Sequence, residues 1–407
     1  MLRRTRRYML GALLAAVVLV LAACDDDLAE QAEDLGLEDE PDVDAPDEDE
    51  PGDDDPDDDS DTDPDDDADD DDDNGEEDEA EVELEGEADA DDESLAWATS
   101  DVGSAGHTAL VNLANVLNEE WDGYFIDVLP TAGAVQSVIG YATGEFDGNY
   151  GADIAFYEMA TETGRFEGFS DDADRVPLQS FWAYPMETGL AVHGDNIDEY
   201  TSWGDLAGEP AYTGPAPWDV RLNLERAMDA LEVGHEYVEV DNTVVGTSLD
   251  GGEISAMIAY TAAEANPAPW ITEAELQTDM QVLNPSDEEV AQLEEAGLAP
   301  VEIDPGVFET EMDVDTALFV PFFYGFHIGE DLSEDDMYEF LTVVEANADT
   351  LAELDASYAV LAEDMADLQV RGVEASIDDV EVHPGLARWM DEQGVWDDAW
   401  DDRIADM

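Results

Sequence analysis

The chain of 407 residues contains no lysine, five scattered histidines and a single cysteine. A single cysteine excludes an internal disulfide. The acidic residues number 111 against 11 basic ones, and the formal net charge is −100. Because so acidic a surface repels phosphate backbones, we expect no nucleic-acid partner. The sequence also lacks a G-x-S-x-G turn, an H-E-x-x-H motif and a cysteine nucleophile, so we expect no enzyme, no cofactor and no metal.

Residues 1–23 have the pattern of a signal peptide, with four arginines before an apolar stretch from Met9 to Val20. The segment ends in Leu-Ala-Ala followed by Cys24, the only cysteine. This ending looks like a bacterial lipobox, in which the cysteine is lipidated and becomes the first mature residue. We predict an extracytoplasmic protein anchored through Cys24 to the outer face of the cytoplasmic membrane, in the periplasm or at the cell surface. An ordinary secretory signal with a chance cysteine is the alternative.

Residues 24–94 are mostly Asp and Glu, with about 43 of the 111 acids and five prolines. Such a segment buries too little apolar surface to offset its ordering entropy, and its charges repel one another. We predict a disordered acidic tether between the lipid anchor and the folded part. Cation binding by its Asp runs is the less favoured interpretation, because the spacing of an EF-hand is absent.

The remaining residues, about 310, carry about 68 acids and only seven arginines. So large an excess destabilises a compact state unless salt screens it. The composition therefore indicates a salt-adapted protein with a solvated acidic surface.

From about Leu95 onward, short apolar strands alternate with helices, which predicts an α/β fold, and the length favours two lobes. The predicted strands are Tyr124–Leu129, Ala152–Tyr157, Gly189–His193, Tyr237–Val240 and Ala256–Tyr260. The predicted helices are Ala134–Thr143, Asp219–Leu231, Asp335–Ala346, Leu351–Leu361 and a last one at Gly385–Gly394.

The stretch from Trp97 to His107 indicates a strand, a turn of small residues and a helix start. The helix that follows has Leu110, Leu113 and Leu117 at amphipathic spacing. Outward-pointing backbone N–H groups in such a turn suit a small polar or anionic solute. A plain strand-to-helix turn is the structural alternative.

The stretch from Ala98 to Asn118 resembles, without gaps, the opening of the TAXI family of solute receptors for TRAP transporters. Four further motifs follow in the family's order, although each is weak alone. They are Thr131–Ser137, Thr143–Ala155 with an insertion at Phe146–Gly151, Trp203–Gly208 and the His383-Pro384-Gly385 motif.

The resemblance implies an α/β, two-lobed periplasmic-binding-protein fold, type II-like, with hinge strands near Ala183–Gly189 and Phe319–Phe326. Lobe 1 would comprise residues 95–186 and 325–407, and lobe 2 residues 187–324. A solute would lie in the cleft and the lobes would close over it. We expect a monomer that delivers the solute to TRAP membrane subunits.

The ligand-binding candidates come mainly from two turns at strand ends, where open α/β sheets bind ligands. The family's second-lobe cradle corresponds to Gly214–Asn223, but its glycine-rich centre is replaced by Pro217-Trp218-Asp219-Val220. Arg221 there would clamp a carboxylate, unless it satisfies a surface acid; Arg165 and Arg175 have the same two interpretations. The full candidate set is Thr99, Ser100, Gly103, Ser104, His107, Thr131, Ala132, Gly133, Tyr157, Trp218 and Arg221.

Two functions remain open. The first is a receptor for a small carboxylate, such as glutamate or a dicarboxylate, serving a TRAP-type transporter. The second is a receptor for glycine betaine or a similar cationic osmolyte, serving an ATP-driven importer. A trio of tryptophans, Trp182, Trp218 and Trp270, would cage such a cation, although core packing is the more common role of each.

Overall fold

The computed structural model describes Leu84 and residues 93–102, 104–171, 173–216 and 218–407, all within the compact unit Glu77–Met407. Cys24 therefore lies outside the described residues. So does the predicted tether, apart from Leu84, Glu93 and Ser94. The strands are β1 Glu93–Thr99, β2 Tyr124–Pro130, β3 Gly148–Ala152, β4 Trp182–His193, β5 Pro210–Tyr212, β6 Glu236–Tyr237, β7 Ala256–Ala262, β8 Asn266–Pro267, β9 Met280–Leu283, β10 Val301–Ile303 and β11 Ala317–Ile328. The helices are α1 Ala105–Glu120, α2 Ala134–Ala142, α3 Asp153–Thr161, α4 Asp219–Ala230, α5 Val245–Asp250, α6 Pro269–Glu275, α7 Asp287–Glu295, α8 Glu334–Ala346, α9 Ala348–Leu354, α10 Ala359–Ser376 and α11 Pro384–Gln393.

The strands form two halves that share the long strands β4 and β11. In the first half the order is β2-β1-β3-β11-β4, with β1, β2 and β3 parallel and β11 antiparallel to β3. In the second half the order is β6-β5-β7-β4-β9, with β5, β6 and β7 parallel and β4 antiparallel to β7. If the two-residue strand β8 is left out, the two halves have the same spatial order: the second, first and third strands of the half, then the long strand that enters from the other half, then the fourth strand, which is β4 in the first half and β9 in the second.

We call β1–β3 with α1–α3 and α8–α11 lobe 1, and β5–β10 with α4–α7 lobe 2. The chain passes from lobe 1 to lobe 2 along β4 and returns along β11. This two-lobed α/β architecture, with two crossing strands, confirms the predicted fold class. The residue limits predicted for the lobes stay a prediction.

Lobe 1 is organised by α1, whose predicted apolar face is buried. Leu110, Leu113 and Leu117 are fully covered, together with Ala114. Ser104 caps the helix with its side chain, which is the favoured role of serine at this position.

The hinge consists of the paired segments of β4 and β11, from Thr188 opposite Val320 to Tyr184 opposite Tyr324. Each segment contains a proline, Pro185 and Pro321, and a proline has no N–H to donate to the ladder.

Two sequence predictions of elements are wrong. The predicted strand Ala152–Tyr157 contains the last residue of β3 and the first half of α3. The residues Asp153–Phe156 are buried in succession, and so short a run does not show the 3.6-residue period that distinguishes a helix from a strand. The predicted helix Leu351–Leu361 is divided between α9 and α10, because the backbone is extended at Asp355.

Tyr237–Val240 is a strand only at its first residue, since β6 covers Glu236–Tyr237. At the last helix, His383 caps α11 by accepting the Gly385 N–H at its Nδ1. Among the described residues, no helix is long and apolar enough to cross a membrane.

Candidate functional site

The turn between β1 and α1 is built from serine hydroxyls. Ser104 Oγ accepts the N–H of His107 at 3.2 Å and lies 2.6 Å from Ser100 Oγ. Thr99 ends β1, and its Oγ1 is buried without a hydrogen-bond partner. Gly103 lies outside the described residues.

The second predicted turn, at the end of β2, is joined to the first. Thr131 Oγ1 donates to the carbonyl of Thr99 at 2.5 Å, and Thr131 N donates to the same oxygen at 3.2 Å. Ala132 follows in the turn, and Gly133 begins α2 with φ of 150°, a conformation that favours glycine. The structure therefore brings Thr99, Ser100, Ser104 and the Thr131–Gly133 turn to neighbouring strand ends of lobe 1.

A tyrosine stack borders this end of lobe 1. The rings of Tyr150 and Tyr324 are nearly parallel with centroids 4.8 Å apart, and Tyr150 Oη lies 2.6 Å from Tyr184 Oη. A Cβ on Gly106 would lie 2.5 Å from Tyr150 Cε1, so the glycine at the start of α1 allows this ring to approach. Sequence reasoning missed all three tyrosines, although Tyr150 lies at the end of the insertion noted above.

The tyrosine stack contacts lobe 2 at Asp219, which lies in the first turn of α4. Tyr324 Oη donates to Asp219 Oδ2 at 2.6 Å, and Arg165 Nη1 lies 2.7 Å from Asp219 Oδ1. Arg165 also pairs with Glu158 of α3, with Nη2 and Oε2 at 2.6 Å. Although burial alone lowers the pKa of Arg165, the two carboxylates raise it overall. Arg165 thus joins lobe 1 to lobe 2.

A second arginine makes a longer contact between the lobes. Arg226 of α4 places Nη1 3.8 Å from Asp153 Oδ2 and its guanidinium 5.2 Å from the ring centroid of Tyr157. Asp153 also accepts the N–H of Phe323 at 2.8 Å. Burial raises the pKa of Asp153 to about 6, more than the Phe323 N–H and Arg226 lower it. Tyr157, predicted at a strand end, lies on α3 with 42% of its surface exposed.

Arg221, the predicted carboxylate clamp, is engaged within lobe 2. Its Nε lies 2.8 Å from Glu225 Oε1, and its guanidinium stacks 3.5 Å from the ring centroid of Tyr237. Burial raises the pKa of Glu225, but the neighbouring side chains of His235, Arg221 and Thr213 outweigh it and lower the pKa to about 2. The geometry matches the alternative given for Arg221, an arginine that satisfies a nearby acid.

The three tryptophans do not meet. Trp182 is fully buried and packs edge-on against Phe156 and His327. Trp218, the N-cap residue of α4, is 47% exposed, and Pro217 before it lies outside the described residues. Trp270 donates to Tyr260 Oη at 3.1 Å in lobe 2. The geometry gives no cage made of these three side chains.

A buried acid lies in the hinge. Glu187 Oε2 accepts from Thr261 Oγ1 at 2.6 Å and from the N–H of Glu264 at 3.1 Å, while Oε1 has no hydrogen-bond partner. Burial raises the pKa of Glu187 to about 8, against the lowering effect of the Thr261 hydroxyl. Glu264 in turn pairs with Arg371 of α10 at 2.6 Å, which is another contact between the lobes.

No protein-family model and no curated protein sequence matches the chain. Among 791 matching chains of solved structures is the periplasmic aliphatic sulphonate binding protein SsuA from Escherichia coli, with 13% identity, a TM-score of 0.37 and coverage of 74% of this chain and 83% of that one. The probable amino-acid ABC transporter extracellular-binding protein ytmK from Bacillus subtilis has 11% identity, a TM-score of 0.37 and coverage of 66% and 98%. The amino acid ABC transporter substrate-binding protein AbpA from Streptococcus pneumoniae, bound to L-arginine, has 14% identity, a TM-score of 0.34 and coverage of 68% and 95%. Similarities at these TM-scores indicate neither a ligand nor a transporter for this chain. The evidence for its two-lobed architecture is its own strand order.

Proposed function

We propose that the chain is an extracytoplasmic solute-binding protein, not an enzyme, that captures a small solute between its lobes and delivers it to a membrane importer. The observation that carries this is the repeated strand order, in which β4 and β11 join two α/β halves of the described residues within the sheet. Parallel strands of both halves end next to the paired residues of these crossing strands, and strand ends of this kind are where open α/β sheets bind ligands.

The rest of the arrangement follows from the sequence. Residues 1–23 are the signal peptide, lipidated Cys24 anchors the protein to the bilayer, and residues 24–94 form the tether. Lobe 1 takes residues 95–186 and 325–407 and lobe 2 residues 187–324. The protein acts as a monomer with one solute in each cleft.

The motif order favours a TRAP-type secondary transporter as the importer. In that case the solute is a small carboxylate held by the two turns of lobe 1, with Ser100, Ser104 and Thr131 as principal contacts. Support comes from the hydrogen bonds that join these turns, because a joined pair of turns is ordered before the solute arrives. Arg221, the predicted clamp for the carboxylate of the solute, gives this interpretation no support, because its guanidinium already pairs with Glu225.

The alternative is a receptor for glycine betaine or a similar cationic osmolyte, serving an ATP-driven importer. The observation in its favour is Asp219, a carboxylate at the position where an anion receptor would need donors. The tryptophan trio gives it no support, since Trp182 lies in the core.

A thermal-shift screen in molar potassium chloride tests the function, with glutamate, glutamine, 2-oxoglutarate, succinate and glycine betaine as the panel. A ligand that binds only the native state at 100 times its dissociation constant adds about 2.7 kcal/mol of stability. We expect one class of solute to raise the melting temperature and to reduce the radius of gyration in X-ray scattering. A melting temperature and a radius that no member of the panel changes would contradict the proposed function.

A further inference from the structure

The Arg165 guanidinium of lobe 1 occupies the position next to a buried carboxylate of lobe 2, that of Asp219. Its Nη1 lies 2.7 Å from Asp219 Oδ1, and its Nε and Nη2 are held at 2.6 Å by Glu158 Oε2 of its own lobe. Asp219 is 93% buried, yet its Oδ1 has no well-directed hydrogen bond. The pair across the cleft is therefore close but badly aligned, and alignment is what makes such pairs strong.

Asp219 is otherwise well prepared for a positive group. Tyr324 donates to its Oδ2 at 2.6 Å, and the first turn of α4 favours a negative charge at this position. The rings of Tyr324 and Tyr150 stack on each other beside it, and Tyr324 points its hydroxyl at the carboxylate. Asp219 thus lies next to a pair of stacked tyrosines, and only one of its two oxygens accepts a well-directed hydrogen bond.

The charges around Asp219 decide which solute fits. Three carboxylates (Asp153, Glu158 and Asp219) face two guanidinium groups (Arg165 and Arg226), which gives 2 − 3 = −1. A solute with one positive group brings this cluster to neutrality, whereas a dicarboxylate brings it to −3. Because charges interact strongly where water is excluded, this difference favours the cation.

We propose that the cleft takes a small solute with one cationic nitrogen, and that this group replaces the Arg165 guanidinium at Asp219. The inference rests on the proposed solute-binding function, and for the class of solute it favours a cationic nitrogen over the dicarboxylate considered for a TRAP-type transporter. Arg165 is a resident competitor that stays with Glu158 when the solute enters, and Asp219 and Tyr324 are the residues that recognise the cation.

The test compares 4-aminobutyrate with succinate, which have similar length and one shared carboxylate but differ in an ammonium against a second carboxylate. Choline serves as a cation without a carboxylate. Isothermal titration calorimetry on the whole chain measures the affinity of each. We expect 4-aminobutyrate or choline to bind at least about tenfold more tightly than succinate, since choline brings the cluster to neutrality and the zwitterion 4-aminobutyrate leaves its charge at −1, whereas succinate brings it to −3.

Variants of the residues around Asp219 test the direction in which the affinity for the cationic solute changes. Arg165→Gln removes the competitor and raises the affinity for the cationic solute about threefold or more, whereas Asp219→Asn lowers it at least about tenfold. Tyr324→Phe keeps the ring and removes the hydroxyl, so we expect a smaller loss of affinity for the cationic solute. This variant keeps the proposal testable if the less conservative variants fold poorly. Arg388→Gln is the matched control, because Arg388 pairs with Glu334 and Asp335 within lobe 1.

The outcomes separate the two proposals. Tighter binding of succinate, with a loss of that affinity in Arg165→Gln, overturns the cationic solute and leaves the solute receptor intact. A chain that binds no member of either panel and shows no compaction overturns both.

Discussion

At the scale of single residues, burial has different consequences for acids and histidines. It raises the pKa of Glu187 to about 8 and lowers the pKa of His327 to about 3. Glu187 therefore favours its protonated form in the folded state, and His327 favours its neutral form. Above pH 7 the histidine is mostly neutral in both states, so Glu187 makes the largest contribution to the pH dependence that we expect in this range.

We predict that the free energy of unfolding falls by about 1 kcal/mol between pH 7 and 8. Between the unfolded and folded pKa of Glu187 the native state binds the additional proton, so raising the pH favours unfolding. Glu187→Gln abolishes this slope, as chemical denaturation at several pH values will measure. The same slope in Glu187→Gln would show that another group is responsible.

Residue-scale prediction worked where a side chain acts on its neighbours in sequence. A helix start was predicted within Trp97–His107 and a last helix at Gly385–Gly394, and Ser104 and His383 accept a backbone N–H where these two helices begin. Arg165 and Asp219 are distant in sequence, and it is the folding of the chain that brings Arg165 Nη1 to 2.7 Å from Asp219 Oδ1. No spacing rule gives such a pair, and the predicted candidate set therefore includes Arg221 and not Arg165.

At the scale of elements, α10 fastens the start of a crossing strand. Gln369 accepts the N–H of Trp182 at 2.9 Å and donates to its carbonyl at 2.7 Å. One turn further along α10, a Cβ on Gly372 would overlap the Trp182 indole. The helix and β4 are therefore in direct contact through a position that accepts only glycine.

We predict that Gly372→Ala destabilises the protein by about 1–3 kcal/mol, because the added methyl group must displace a buried indole. In an ordinary helix interior the same change stabilises by about 1 kcal/mol, so the sign is diagnostic. Gly234→Ala is the control, since a Cβ there would meet nothing within 4 Å. Thermal denaturation of both variants measures the difference, and a gain of stability in Gly372→Ala would refute the contact.

Elements with a clear period were predictable, and elements without one were not. The helix after Ser104 was evident because its apolar residues repeat at helical spacing. The strand β3 has the sequence Gly-Asn-Tyr-Gly-Ala, which lacks the branched residues typical of strands. A Cβ on Gly148 would lie 2.5 Å from the ring of Trp97, so close packing with β1 explains why glycine is present there.

At the scale of the whole molecule, charge is the dominant feature. About 68 acids face seven arginines after residue 94, and three of those arginines (Arg165, Arg226 and Arg371) contact an acid of the opposite lobe. Salt weakens these attractions as well as the general repulsion. Repulsion involves many more groups, so its screening should determine the net effect.

We predict that the melting temperature rises by about 5 °C or more between 0.1 and 2 M potassium chloride. Calorimetry on the whole chain measures it, with sucrose of equal water activity as the control for effects other than screening. A melting temperature that is constant or falls with salt would contradict the repulsion argument.

The shared strands have a consequence for how the protein is made. The first half of the sheet holds β3 between β1 and β11, and β11 ends only at Ile328. During synthesis from the N-terminus, the β3 edge therefore waits for more than half of the folded part before its partner emerges. An unpaired strand edge invites wrong pairing. Nascent chains of this protein should depend on folding helpers, or on export before folding, until β11 has been made.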